Sequence, residues 1–179
     1  GLMRCHMMET ILVVDDETVN RELLKAILEE AGYEVTLARD GATAVALATA
    51  MPPDLILLDL RMPGMSGLGV CEILKRNPAT QAVPVIVVTA HGEVTHKEAA
   101  LTHGAADFVT KPVNADDLRA RVSAMLKVRR IRVELDRTLA YLHELEAARH
   151  AQRRQALVHM LPGEPEKAPE ALTAPPVLL

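Results

Sequence analysis

Four apolar runs in this chain of 179 residues stop at residues that could handle phosphate or a metal ion. Asp15 and Asp16 follow the run 10–14, and Asp59 follows 54–58. Thr89 follows 84–88, and Lys111 comes just after 106–109. Three carboxylates in one small site repel each other unless a cation lies among them. Hard oxygen ligands select a hard cation, and Mg²⁺ commonly binds through one or two carboxylates plus waters and phosphate oxygens. A lysine supplies a mobile charge for a phosphoryl oxygen. A threonine hydroxyl donates a hydrogen bond to another. One carboxylate is then left as the nucleophile, giving an aspartyl phosphate. Asp59 suits that role, because Asp15 and Asp16 are adjacent and suited to holding the metal.

These residues need a frame that brings strand ends together. The runs 10–14, 34–38, 54–58, 84–88 and 106–109 are short and mostly β-branched or aliphatic, as expected of strands buried on both faces. Helical patterns alternate with them over 17–31, 42–50, the segment around Val70, Ile73 and Leu74, 94–103, and a last stretch that Asn114 or Asp116 could cap. Leu23, Leu24, Ile27 and Leu28 share one side of the first helix. Gly32 and Gly104 end helices, and Pro52-Pro53 stops another. Five strands alternating with five helices predict a doubly wound α/β domain with a parallel sheet. Right-handed crossovers follow. Ligands in such sheets bind outside the carboxyl ends of the strands.

The series Val13-Val14-Asp15-Asp16, Leu57-Leu58-Asp59-Leu60-Arg61-Met62-Pro63-Gly64-Met65-Ser66-Gly67, Val88-Thr89-Ala90 and Lys111-Pro112 resembles a two-component response-regulator receiver domain, CheY-like, over about residues 9–127. The four motifs stand in the family's order and at family-like spacing. The resemblance implies a flavodoxin-like five-stranded sheet of order 2-1-3-4-5. It implies that Asp59 is the phosphoacceptor and that Asp15, Asp16, Asp59 and the backbone carbonyl of Arg61 hold Mg²⁺. Thr89 and Lys111 would grip the phosphoryl oxygens, Phe108 would be the aromatic switch, and Pro112 would follow a cis bond. The implied partners are a sensor histidine kinase or a phosphotransfer protein. His91 and Arg61 flank the site where side chains could tune hydrolysis. Plainer readings exist for each residue alone. The acidic pair could cap a helix, Lys111 could be a solvated lysine, and Phe108 could be core, switch or both.

Bulk properties remove other classes. The net charge is -4, and one Phe, two Tyr and no Trp leave little for base stacking. Two cysteines make no disulfide framework, and a reducing, cytoplasmic setting fits. No apolar run approaches the roughly 20 residues of a membrane span. A hydrolase resembling haloacid dehalogenases would need an Asp two residues past a nucleophile after the first strand, where Glu17 stands. The chain thus reads as a signalling domain and not an enzyme.

Residues 1–8 look like a cloning remnant. Beyond 127 the helical pattern continues: Val128, Ile131, Leu135, Leu142 and Leu145 recur at spacings of three and four, with Thr138 in the series. No Gly or Pro interrupts 113–161, enough for a helix of roughly 70 Å. The stripe either covers its own domain or pairs with another copy as a short coiled coil, and a homodimer is favoured. Arg129, Arg130, Arg132, Arg149, Arg153 and Arg154 make the segment basic. Nucleic acid is nonetheless not expected as a partner, because no helix-turn-helix pattern follows. Residues 162–179 form a Pro-rich tail. The stretch 155–162 loosely resembles a linker to an effector domain of phosphatase or cyclase type. The alternative is therefore a regulatory fragment of a larger protein.

Overall fold

The structure, a computed structural model, describes residues 8–90 and 94–163. Thr10–Val14 forms β1, Thr18–Glu30 α1, Glu34–Ala38 β2, Gly41–Ala50 α2 and Leu55–Asp59 β3. Gly67–Arg76 forms α3, Val85–Ala90 β4, Val94–Thr102 α4, Asp107–Lys111 β5 and Ala115–Met160 α5. Among the described residues the strands make one five-stranded parallel sheet in the order β2-β1-β3-β4-β5. The fold is the flavodoxin-like, doubly wound class expected, with a long C-terminal helix.

Alternation along the central strands feeds two cores, one per face. Leu12, Val14, Ile56, Leu58, Val85 and Val87 pack with Ala44 and Ala48 of α2, Val70, Cys71 and Leu74 of α3, and Ala100 of α4. Ile11, Val13, Leu55, Leu57, Ile86 and Val88 pack with Leu24, Ile27 and Leu28 of α1 and with Leu118, Val122 and Leu126 of α5. Leu23 is not part of the α1 stripe, being 52% exposed. Its position is rotated past the arc that meets the sheet. Ile73 of α3 is exposed for the same reason.

Caps fit the local sequence. The Asp40 side chain accepts from the amide of Thr43 at 2.7 Å, and Ser66 accepts from Gly69 at 3.2 Å. Asn114 caps α5, accepting from Asp117 at 2.9 Å. Gly32 takes φ +93° just after α1, the left-handed conformation that only glycine adopts cheaply.

The chain divides into two units between Val133 and Glu134, and α5 runs through that division. In the first unit, Arg129 reaches Asp54 at 2.9 Å and Arg130 reaches Glu9 at 3.0 Å. In the second, Leu135, Leu139, Tyr141, Leu142 and Leu145 are all exposed. Most of residues 1–8, most of the Pro-rich tail and His91 lie outside the described residues. No helix among the described residues is long and apolar enough to cross a membrane.

Candidate functional site

Parallel strands of similar length end together, so their last residues share one edge of the sheet. Asp15 directly follows β1 and Asp59 closes β3. Thr89 stands inside β4 and Lys111 ends β5, one step further into the strands than the apolar runs suggest. The ladder between β4 and β5 continues past those runs, pairing Thr89 with Thr110 and Ala90 with Lys111.

The cluster is buried. Asp15 is 1% exposed, Asp59 3% and Thr89 1%, whereas Asp16 is exposed. One ligand oxygen from each of Asp15, Asp16 and Asp59 lies within 4.8 Å of the others. Asp59 Oδ1 accepts from the amide of Arg61 at 3.2 Å, and Oδ2 accepts from Lys111 Nζ at 3.3 Å. Lys111 Nζ also lies 3.8 Å from Asp15 Oδ2. Asp15 Oδ1 accepts from the amide of Glu17 at 2.9 Å. Its Oδ2 is buried without any hydrogen bond. Buried polar atoms are rarely left so.

Electrostatics here are unfavourable to charge. Burial pushes the Asp59 carboxyl above the usual carboxylate range. Lys111 opposes that shift, the neighbouring Asp15 charge adds to it, and the Arg61 amide opposes it again. One lysine thus serves two buried carboxylates. A divalent cation among these oxygens would remove the imbalance, and the donor set is all oxygen, as Mg²⁺ requires.

Supporting residues that the sequence did not advertise hold this arrangement. Arg21 of α1 donates from Nη1 to the carbonyl of Asp15 at 2.7 Å and from Nη2 to Thr18 Oγ1 at 3.0 Å. Gly67 starts α3 against the end of β3. A Cβ there would lie 2.5 Å from the carbonyl oxygen of Asp59 and 2.7 Å from Leu60 Cα, so only glycine fits. The Gly67 of the motif carried that signal in part; Arg21 carried none. The Lys111–Pro112 bond is cis.

Phe108 of β5 is half-buried against the core beneath α2, α3 and α4. Lys97 Nζ lies 4.7 Å from its ring centroid, and the Arg121 guanidinium carbon lies 5.8 Å away. Arg121 also grips both oxygens of Asp107 at 2.9 and 3.0 Å.

Residues 11–123 match the response regulator receiver domain family, and the chain belongs to that family. Receiver domains of this kind are signalling domains of two-component systems. The chain is 41% identical over 120 residues to the DNA-binding dual master transcriptional regulator RpaA of Synechocystis, a match covering 67% of this chain and 50% of that protein. It is 44% identical over 129 residues to the response regulator PleD of Caulobacter vibrioides, covering 72% of this chain and 28% of PleD. The matched region therefore spans half or less of these two relatives. Among solved structures, the chemotaxis protein CheY4 of Vibrio cholerae superposes with a TM-score of 0.63 at 29% identity, covering 66% of this chain and 98% of CheY4. NtrX of Brucella abortus gives 0.68 at 32% identity, covering 73% of this chain and 29% of NtrX. The expectation that nucleic acid is not a partner finds no support in these relatives, one of which is named as DNA-binding.

Proposed function

We propose that Asp59 accepts a phosphoryl group from a phosphohistidine on a sensor histidine kinase or phosphotransfer protein, and that the phosphorylated chain changes its contacts with a partner or a second copy. The observation carrying this reading is the pair of buried carboxylates sharing one lysine, with Asp15 Oδ2 unsatisfied. A purely structural acid would have its oxygens filled.

An Asp59 oxygen attacks phosphorus in line. The phosphorus–nitrogen bond breaks as the phosphorus–oxygen bond forms, and imidazole leaves with the electron pair. Lys111 stays with a transferred oxygen, and the Thr89 hydroxyl donates to another. Mg²⁺, held by Asp15, Asp16, Asp59 and the Arg61 carbonyl, would shield the negative charge of the carboxylates and the phosphoryl group. Movement of Thr89 toward the new oxygens leaves space into which Phe108 turns. The phosphoryl group drives this only by favouring one of two pre-existing states. Hydrolysis resets the switch.

In this reading residues 9–127 are the receiver, 128–161 a helix that pairs with a second copy, and 162–179 a tail, in a cytoplasmic protein. A second reading makes the chain the regulatory part of a larger regulator. The short share of PleD that is matched favours it. The mass of the native gene product separates the two.

The test is intact mass after incubation with Mg²⁺ and a small acyl phosphate. Wild type should gain one phosphoryl group and Asp59→Asn none. An equal gain in both would mean that another residue is the acceptor.

A further inference from the structure

We infer that Arg21 is a positioning residue for the ion site: by holding the peptide between Asp15 and Asp16 it aims both carboxylates at one cation and sets a preference for Mg²⁺ over Ca²⁺. This rests on the metal reading given above and adds what makes the site selective. Consecutive side chains of a strand point to opposite faces. Asp15 directly follows β1 and Asp16 comes next, the first buried and the second exposed. One oxygen from each nevertheless lies within 4.8 Å of the other and of an Asp59 oxygen. The chain must therefore turn out of the strand between these two residues.

Hydrogen bonds show how that turn is held. The ladders of β1 with β2 and with β3 end at Val14. The Asp15 amide still donates to the carbonyl of Ala38 at 3.2 Å. The Asp15 carbonyl turns away from the sheet and accepts from Arg21 Nη1 at 2.7 Å. Arg21 Nη2 donates to Thr18 Oγ1 at 3.0 Å, so the guanidinium is itself fixed on the first turn of α1. Its planar fork suits it to join two acceptors in one geometry. Glu17, the N-cap of α1, makes no capping bond with its side chain, and the fork of Arg21 closes the turn in its place.

Charge and position predict opposite results. A guanidinium beside carboxylates weakens any cation they bind, so on charge alone its removal would strengthen Mg²⁺ and Ca²⁺ alike. Position acts unequally. Mg²⁺ demands near-ideal geometry from its oxygen ligands, whereas Ca²⁺ accepts a flexible arrangement. Fixing the peptide between the two acids therefore favours Mg²⁺ more than Ca²⁺. Groups behind the ligands commonly control affinity in this way. Asp16 depends on it most, since an exposed side chain takes little direction from packing. Asp15 has a second tether, the Glu17 amide at 2.9 Å.

Titration calorimetry of the full chain with Mg²⁺ and, separately, with Ca²⁺ tests this. Arg21→Met should weaken Mg²⁺ binding about tenfold and Ca²⁺ binding by clearly less. Thr18→Val keeps the charge and frees one arm of the guanidinium. It should shift the preference the same way by a smaller factor. Mg²⁺ bound by Arg21→Met as tightly as by wild type, or more tightly, would overturn the inference and leave the metal reading standing. So would an equal loss for both ions, which is what a merely weakened fold gives. If circular dichroism shows Arg21→Met to be unfolded, Thr18→Val decides, and an unchanged ion preference there would overturn the inference. A wild type that binds neither ion would overturn this inference and the metal reading together.

Discussion

Strand β3 has a carboxylate at each end, and the two live under opposite conditions. Asp54, just before the strand, accepts from the Thr10 amide at 2.8 Å and is paired with Arg129 at 2.9 Å. Asp59, at the other end, is more deeply buried and shares one lysine with Asp15. The first carboxylate ties β1, β3 and α5 together. The second raises the free energy of the folded chain and leaves an oxygen beside it unsatisfied. The fold stabilises one edge of its sheet through partnered charges and keeps the other edge under electrostatic tension, which a cation among its carboxylates would release.

The largest test removes what little relieves that tension. Lys111→Ala, in chelator, should cost about 3 kcal/mol in urea unfolding, because two buried carboxylates lose their shared cation. An unchanged midpoint would mean that the lysine does not hold the site. Adding Mg²⁺ works in the other direction. At a hundred times its dissociation constant it should stabilise wild type by about 2.7 kcal/mol. It should do much less for Asp15→Ala, and equal stabilisation of the two would place the ion elsewhere.

At the quiet edge the effect is smaller. Asp54→Ala should destabilise by about 1.5 kcal/mol, through the lost Thr10 hydrogen bond and the unpaired Arg129. Hydrogen exchange at residues 128–133 should rise with it. The smallest effect has the opposite sign. Asp59→Asn in chelator should stabilise the chain, on the order of 1 kcal/mol, because it removes a buried charge. The pH dependence follows from the raised carboxyl of Asp59. The folded chain holds that proton more tightly than the unfolded chain does. Stability from this group is therefore fully present below the ordinary carboxylate range and falls as pH rises through the raised value. The gap between Asp59→Asn and wild type should widen over that window and then stay level. A gap that narrows with rising pH would mean that the shift has the other sign.

Much of the fold and the heart of the site were legible in the chain. Strand runs, helix stripes, caps and breakers are local, set by the alternation of side chains and by single glycines and prolines. Parallel order then brings strand ends together, so polar residues closing those runs had to share an edge. Position along one strand could not say which carboxylate of an adjacent pair would be buried: Asp15 faces inward and Asp16 outward. Nor could the runs show that β4 and β5 continue through Thr89 and Lys111, since pairing extends them beyond their apolar residues.

What the sequence by itself determined was the inventory at each strand end and the helical period that carries α5 to Met160. The tertiary structure decided the partners. Lys111 meets Asp59 across 52 positions and Asp54 meets Thr10 across 44. It also placed Arg21 on the carbonyl of Asp15 and Gly67 against that of Asp59. Such pairings depend on distances set by the packed sheet and helices together, and no local pattern encodes them.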